Sequence, residues 1–135
     1  MFKVYSNPSL SFEKTIKKRD ALIYEKDFTL PENVAKEDAI AFLEKYKTVY
    51  SPDDDKQVWF NKIKEIAPKI GFAAETKEFK ANPDNFKGHA GDLSTVLRIA
   101  VTGRRNTPDL YAIMSLLGEE KVKARLTDAL DSYRA

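Results

Sequence analysis

The chain has 135 residues, 42% of them hydrophobic and 33% charged, with a net charge of +2. That length holds one domain, or two small helical subdomains sharing a core, and the composition excludes a wholly disordered chain or one that binds polyanions by total charge alone. There is no cysteine, hence no disulfide or thiolate metal site, and no apolar run exceeds five residues, as from Ala39 to Leu43, which excludes a spanning helix.

Residues 1–35 carry broken signals. Asn7-Pro8 and Leu30-Pro31 interrupt the chain, and only Phe12 to Glu25 is compatible with a helix, through Phe12, Ile16 and Ile23. This stretch reads as a poorly defined N-terminal segment, the remnant of a preceding domain or subdomain, and 36–135 as a helical domain. Met1-Phe2-Lys3-Val4-Tyr5 lacks the apolar core of a signal peptide, so the expected setting is cytoplasmic, with no membrane partner.

Helical periodicity begins after Lys36. Ala39, Phe42, Leu43, Tyr46, Val49 and Tyr50 make one apolar stripe. Ser51-Pro52 then reads as an N-cap and first helical residue, with Asp53, Asp54 and Asp55 in the positive first turn. Trp59, Ile63, Ile66 and Ile70 form the next stripe, frayed by Pro68 and stopped by Gly71. A short helix is expected over Thr76 to Lys80, followed by a loop from Asn82 to Gly91. Leu93, Val96, Leu97, Ala100 and Val101 mark a helix ending near Gly103. Thr107-Pro108 reads as the cap of another, with Leu110, Ile113, Met114 and Leu117 inward and Gly118 at its end. Val122, Leu126, Ala129, Leu130 and Tyr133 mark the last. No strand alternates convincingly, so the expected fold is an all-α bundle or cage of about five to seven helices.

Enzymatic chemistry finds no constellation here. His89 is the only histidine and reads as an exposed or loop-packed side chain, because a metal site needs further imidazoles or thiols. Asp53-Asp54-Asp55 reads as a charged helix start rather than a magnesium site, and the five glycines are too dispersed for a phosphate loop. No catalytic residue and no metal ligand is assigned.

Charge is uneven along the chain. Between Phe86 and Arg105, Lys87, Arg98, Arg104 and Arg105 face one acid, Asp92, whereas Glu25 to Asp55 is acidic. Arg98 stands between Leu97 and Ile99 on an apolar helix, where an unpartnered guanidinium is costly to bury. Two readings are open: a solvent-facing or Asp92-paired side chain, or a planar donor fork presented to a base edge or phosphate. The Thr107-Pro108 helix start could offer backbone N–H groups to an RNA base, with Leu110 giving an apolar face to it or simply packing in the core. A DNA-reading helix-turn-helix is disfavoured, since Asp109 to Gly118 carries no Arg, Lys, Asn or Gln. A helical protein-interaction module stays open, with the aromatic-rich Phe2 to Phe28 as a docking face.

Several blocks carry a family resemblance: Leu30-Pro31-Glu32-Asn33-Val34, Trp59-Phe60-Asn61-Lys62-Ile63-Lys64, Gly91-Asp92-Leu93-Ser94-Thr95-Val96-Leu97-Arg98, and Thr102 through Tyr111. The last continues into Leu116 to Val122 and Arg125-Leu126. In this order and spacing, from about Leu30 to Leu130, the chain resembles the C-terminal anticodon-binding region of bacterial glutamyl-tRNA synthetases. The resemblance implies a helical cage around the anticodon stem-loop of glutamate tRNA. Arg98 matches the family's base-contacting arginine, and Asn106, Thr107, Pro108 and Leu110 match the turn and helix start that touch the anticodon; Asn106 is an amide where some relatives carry an acid. Lys87, Arg104 and Arg105 would be a supporting basic patch. A further recognition arginine of the family has no matching position. The family's two ATP-binding signatures, of the His-x-Gly-His and Lys-Met-Ser-Lys-Ser types, do not occur, so ATP and magnesium would belong to a missing N-terminal catalytic domain of the same polypeptide. The nearest alternative is the related C-terminal domain of a class I lysyl-tRNA synthetase.

Overall fold

A computed structural model describes Tyr24 and residues 26–135, and six α-helices form among them. Helix α1 spans Lys36–Val49, α2 Lys56–Ile66, α3 Thr76–Ala81, α4 Ala90–Thr102, α5 Leu110–Leu117 and α6 Glu119–Arg134. Short 3₁₀ turns at Ala67–Ile70 and Pro83–Asn85 flank α3, and extended pairing among the described residues is limited to a bridge between Ala73 and His89. The architecture is all-α, as the periodicities predict. The helix expected over Phe12 to Glu25 lies outside the described residues. No described helix is long and apolar enough to cross a membrane.

The predicted stripes make the core. Helix α6 packs against α4, α1 and α5, burying Val122, Leu126, Ala129, Leu130 and Tyr133 against Leu93, Val96, Leu97 and the inward residues of the other two helices. Val49 departs from its stripe and faces solvent, because α1 ends there and Tyr50 turns in instead. Arg125 departs the other way. It is buried on α6, its Nη1 donates to the Val101 carbonyl at 2.9 Å, and its guanidinium lies 4.1 Å from the centre of the Tyr24 ring. Partners of this kind make a buried guanidinium tolerable. Upstream of Lys36, Val34 is buried and Phe28 and Leu30 pack on the same core.

Two predicted caps move by a few residues. Ser51 Oγ accepts from the Asp53 amide in a turn, and the N-cap of α2 is Asp55, which accepts from the Val58 amide at 2.8 Å. The N-cap of α5 is Asp109 rather than Thr107. The chain stops read correctly: α2 gives way to a 3₁₀ turn at Pro68, and Gly71 and Gly103 end their helices at φ of +88° and +74°, the left-handed region that favours glycine.

Candidate functional site

Leu93, Val96, Leu97, Ile99, Ala100 and Val101 bury most of the circumference of α4. Arg98 emerges half-buried on the remaining side. Its Nε donates to Thr107 Oγ1 at 2.9 Å, tying the helix to the turn that follows it. Thr107 Oγ1 donates in turn to the Pro108 carbonyl at 2.8 Å. The terminal NH₂ groups of Arg98 make no hydrogen bond among the described residues. Asp92 does not pair with Arg98; it accepts from the His89 amide and helps cap α4.

Arg98 opens into a cavity of about 680 Å³ lined by Lys56, Gln57, Trp59, Phe60, Ser94, Arg98, Asp109 and Leu110. That size and an apolar floor beside a few polar groups suit a small planar ligand. Trp59 forms the buried wall, its indole N–H donating to Met114 Sδ and its ring 5.7 Å from that of Tyr111. Phe60 is half-buried, with the Lys64 ammonium 5.4 Å from its ring centre. Asp109 faces Lys56, whose Nζ donates to it at 3.2 Å, while its other oxygen accepts from the Ala112 amide.

Electrostatics follow from this packing. Burial draws the Arg98 pKa below its ordinary value, opposed by the charge of Asp109; a guanidinium stays protonated regardless. Desolvation alone would raise Asp109, but the Ala112 amide, the hydrogen bond and charge of Lys56, and the Tyr111 amide outweigh it and hold the carboxyl below the usual range.

A second cavity of about 350 Å³ lies along the turn, lined by Asp27, Thr29, Gly103, Arg104, Arg105 and Asn106. Thr102 fixes the entry to this turn. Fully buried, its hydroxyl donates to the Arg98 carbonyl at 2.8 Å and accepts from the Arg104 amide at 3.0 Å.

The residues singled out in the sequence therefore separate into groups. Arg98 and Leu110 share the larger cavity with Thr107 at its edge, whereas Arg104, Arg105 and Asn106 line the smaller one. Pro108 is exposed between them and lines neither. Lys87 lies apart, its Nζ 2.8 Å from Asp38 of α1. Leu110 is buried, so its role in the core is certain and only its edge is open to the cavity. His89 is the N-cap of α4, its Nδ1 accepting from the Gly91 amide at 3.0 Å. The aspartate triplet is divided: Asp55 caps α2, and Asp54 pairs with Lys62 while its carbonyl accepts from Tyr111 Oη. Sequence reasoning missed Lys56, Gln57, Trp59, Phe60, Ser94 and Asp109. The resemblance blocks that hold Trp59, Phe60, Ser94 and Asp109 were the available signal.

A family model described as an anticodon binding domain matches residues 38–130. Three relatives are glutamate–tRNA ligases. That of Acetivibrio thermocellus is 50% identical over 96 residues, covering 71% of this chain and 18% of the relative. That of Sorangium cellulosum is 47% identical over 96 residues, 71% of this chain and 17% of the relative. One from Clostridium perfringens strain 13 is 41% identical over 100 residues, 74% of this chain and 18% of the relative. The chain thus spans less than a fifth of the length of these relatives. No solved structure matches it.

Proposed function

Since the chain belongs to the anticodon binding domain family, we propose that it recognises the anticodon stem-loop of glutamate tRNA as one module of a cytoplasmic glutamate–tRNA ligase. The observation that carries this reading is the half-buried Arg98 guanidinium, tied to Thr107 at the edge of a cavity floored by Trp59, Phe60 and Leu110. Unstacked loop bases are read by this combination of aromatic or apolar faces and edge hydrogen bonds. Asn106, Thr107 and Pro108 present the turn that would follow the loop, and Arg104 and Arg105 supply positive charge for its phosphates. Lys87, set apart by Asp38, contributes long-range attraction at most. In this reading ATP and magnesium serve a catalytic portion of the longer polypeptide, and this chain supplies binding and orientation of the tRNA.

A salt-varied titration of labelled stem-loops tests the assignment. Arg98→Ala weakens the cognate loop by about 1–3 kcal/mol and relaxes base preference, whereas Arg104→Ala weakens all loops alike and lowers the salt slope by about 1. Equal losses for cognate and scrambled loops in Arg98→Ala would contradict base reading.

A further inference from the structure

We propose that Arg125 is a positioning residue that couples the turn after α4 to Tyr24, so that Tyr24 tunes RNA binding from outside both cavities. The inference rests on the RNA-binding reading above and adds to it two residues that line neither cavity. Arg125 is buried on α6, a place where an apolar side chain would avoid the cost of removing a charge from water. Its Nη1 donates at 2.9 Å to the Val101 carbonyl, one of the last of α4 and therefore without a donor inside that helix. A cation there also meets the negative end of the helix dipole. Next along the chain, the Thr102 hydroxyl holds the Arg104 amide, and Gly103 swings the backbone into the exposed turn. Arg125 thus fixes the point from which the turn departs.

The other contact of Arg125 is the Tyr24 ring, whose centre lies 4.1 Å from the guanidinium carbon. Tyr24 is itself held, its Oη donating to Asp128 of α6 at 2.9 Å. Phe28 anchors the same segment, packing edge-on against Tyr133 with ring centres 6.2 Å apart. Asp27 and Thr29 beside it line the smaller cavity with Arg104, Arg105 and Asn106. Segment and turn therefore meet twice, at that cavity and through Arg125. A guanidinium held against a ring loses torsional freedom, which keeps its N–H groups aimed. Removing the ring frees the guanidinium and loosens its hold on Val101. Tyr24 and Arg125 then act as one unit, and the effects of changing them do not add.

The test titrates the 135-residue chain and its variants with fluorescent RNA hairpins, cognate or scrambled in the loop, at a temperature where melting curves show each variant folded. Arg125→Met should weaken the cognate hairpin about tenfold and lower its preference over the scrambled one, while Arg125→Lys should stay within about threefold of wild type. Tyr24→Leu removes the ring and should weaken the cognate hairpin about fivefold; Tyr24→Phe loses only the bond to Asp128 and should stay within about twofold. Added to Arg125→Met, Tyr24→Leu should cost less than about twofold more. A merely structural Arg125 would lower the melting temperature and leave the ratio of cognate to scrambled binding unchanged, and that result overturns the proposal. Independent losses that multiply in the double variant overturn it too. Should Arg125→Met fail to fold, the Tyr24 variants still decide, because equal binding by Tyr24→Leu and Tyr24→Phe overturns the coupling. If no hairpin binds the wild type, the RNA reading itself falls and takes this one with it.

Discussion

Gly71 and Gly103 each end a helical segment in the left-handed conformation, yet the chain leaves them in opposite directions. After Gly71 it dives inward: Phe72 and Ala73 are buried, and the backbone is tied to the segment before α4 by Lys87 N to Gly71 O, Ala73 N to Gly88 O and Ala90 N to Ala73 O, each at 2.9 Å. After Gly103 it stays out, with Arg105, Asn106 and Pro108 exposed, and among its ties are two side-chain hydroxyls, Thr102 at the start and Thr107 near the end. The same local stop signal serves a structural turn in one place and, in the proposed function, a presenting turn in the other. Backbone ties resist change of sequence, whereas hydroxyl ties can be altered one side chain at a time, which suits a surface that selects its ligand.

The contrast can be broken in order of size. Phe72→Ala empties a fully buried site and should cost about 3–5 kcal/mol in urea unfolding, while Pro108→Ala on the other turn should stay within about 0.5 kcal/mol. Thr102→Val removes the hydroxyl that the Arg104 amide donates to, with an expected loss of about 1–3 kcal/mol and weaker hairpin binding, both restored by Thr102→Ser. Gly71→Ala and Gly103→Ala each force a side chain into the left-handed region, at about 1–2 kcal/mol. At Gly71 the added methyl meets only the flexible end of Lys87, at 3.3 Å. Hairpin affinity should therefore fall in the Gly103 variant and hold in the Gly71 variant; equal effects would erase the distinction between the turns.

The smallest effect concerns the strand of chain beside the presenting turn. Tyr133 Oη donates to the Phe28 carbonyl at 2.8 Å, anchoring the segment whose Asp27 and Thr29 line the smaller cavity. Burial, with a lesser push from Asp27, raises the Tyr133 pKa to about 12. A raised phenol pKa contributes stability that is complete below the unfolded value near 10 and lost as pH climbs to the folded one. Amide exchange around Phe28 should thus accelerate between about pH 10 and 12 beyond the intrinsic rate increase, with the Gly71 turn unaffected, and Tyr133→Phe should abolish the transition.

Much of this was legible in the residues. Helix stripes were, because apolar spacing is a local property that the bundle then uses; Phe42, Ile63, Leu97, Ile113 and Leu126 all point inward as their spacing requires. Arg98, Thr107 and Leu110 could be grouped because they lie within a single helix–turn–helix stretch. The caps slipped for a reason the local motif could not hold. Thr107 is chemically able to cap α5, but Arg98 and the Pro108 carbonyl engage its hydroxyl, so the task passes to Asp109. Ser51 is likewise held in its own turn, leaving Asp55 to cap α2.

What the sequence determined by itself is the all-helical course of the chain, its stops at Gly71 and Gly103, and the placing of one arginine on an otherwise buried helix. Only the tertiary structure decided what that arginine faces. Lys56 and Asp109 stand 53 residues apart, and Trp59 reads along its own helix as core alone. They meet Arg98 because α2 and α4 pack against each other, and contacts between distant segments are set by how the helices pack, which no local periodicity encodes.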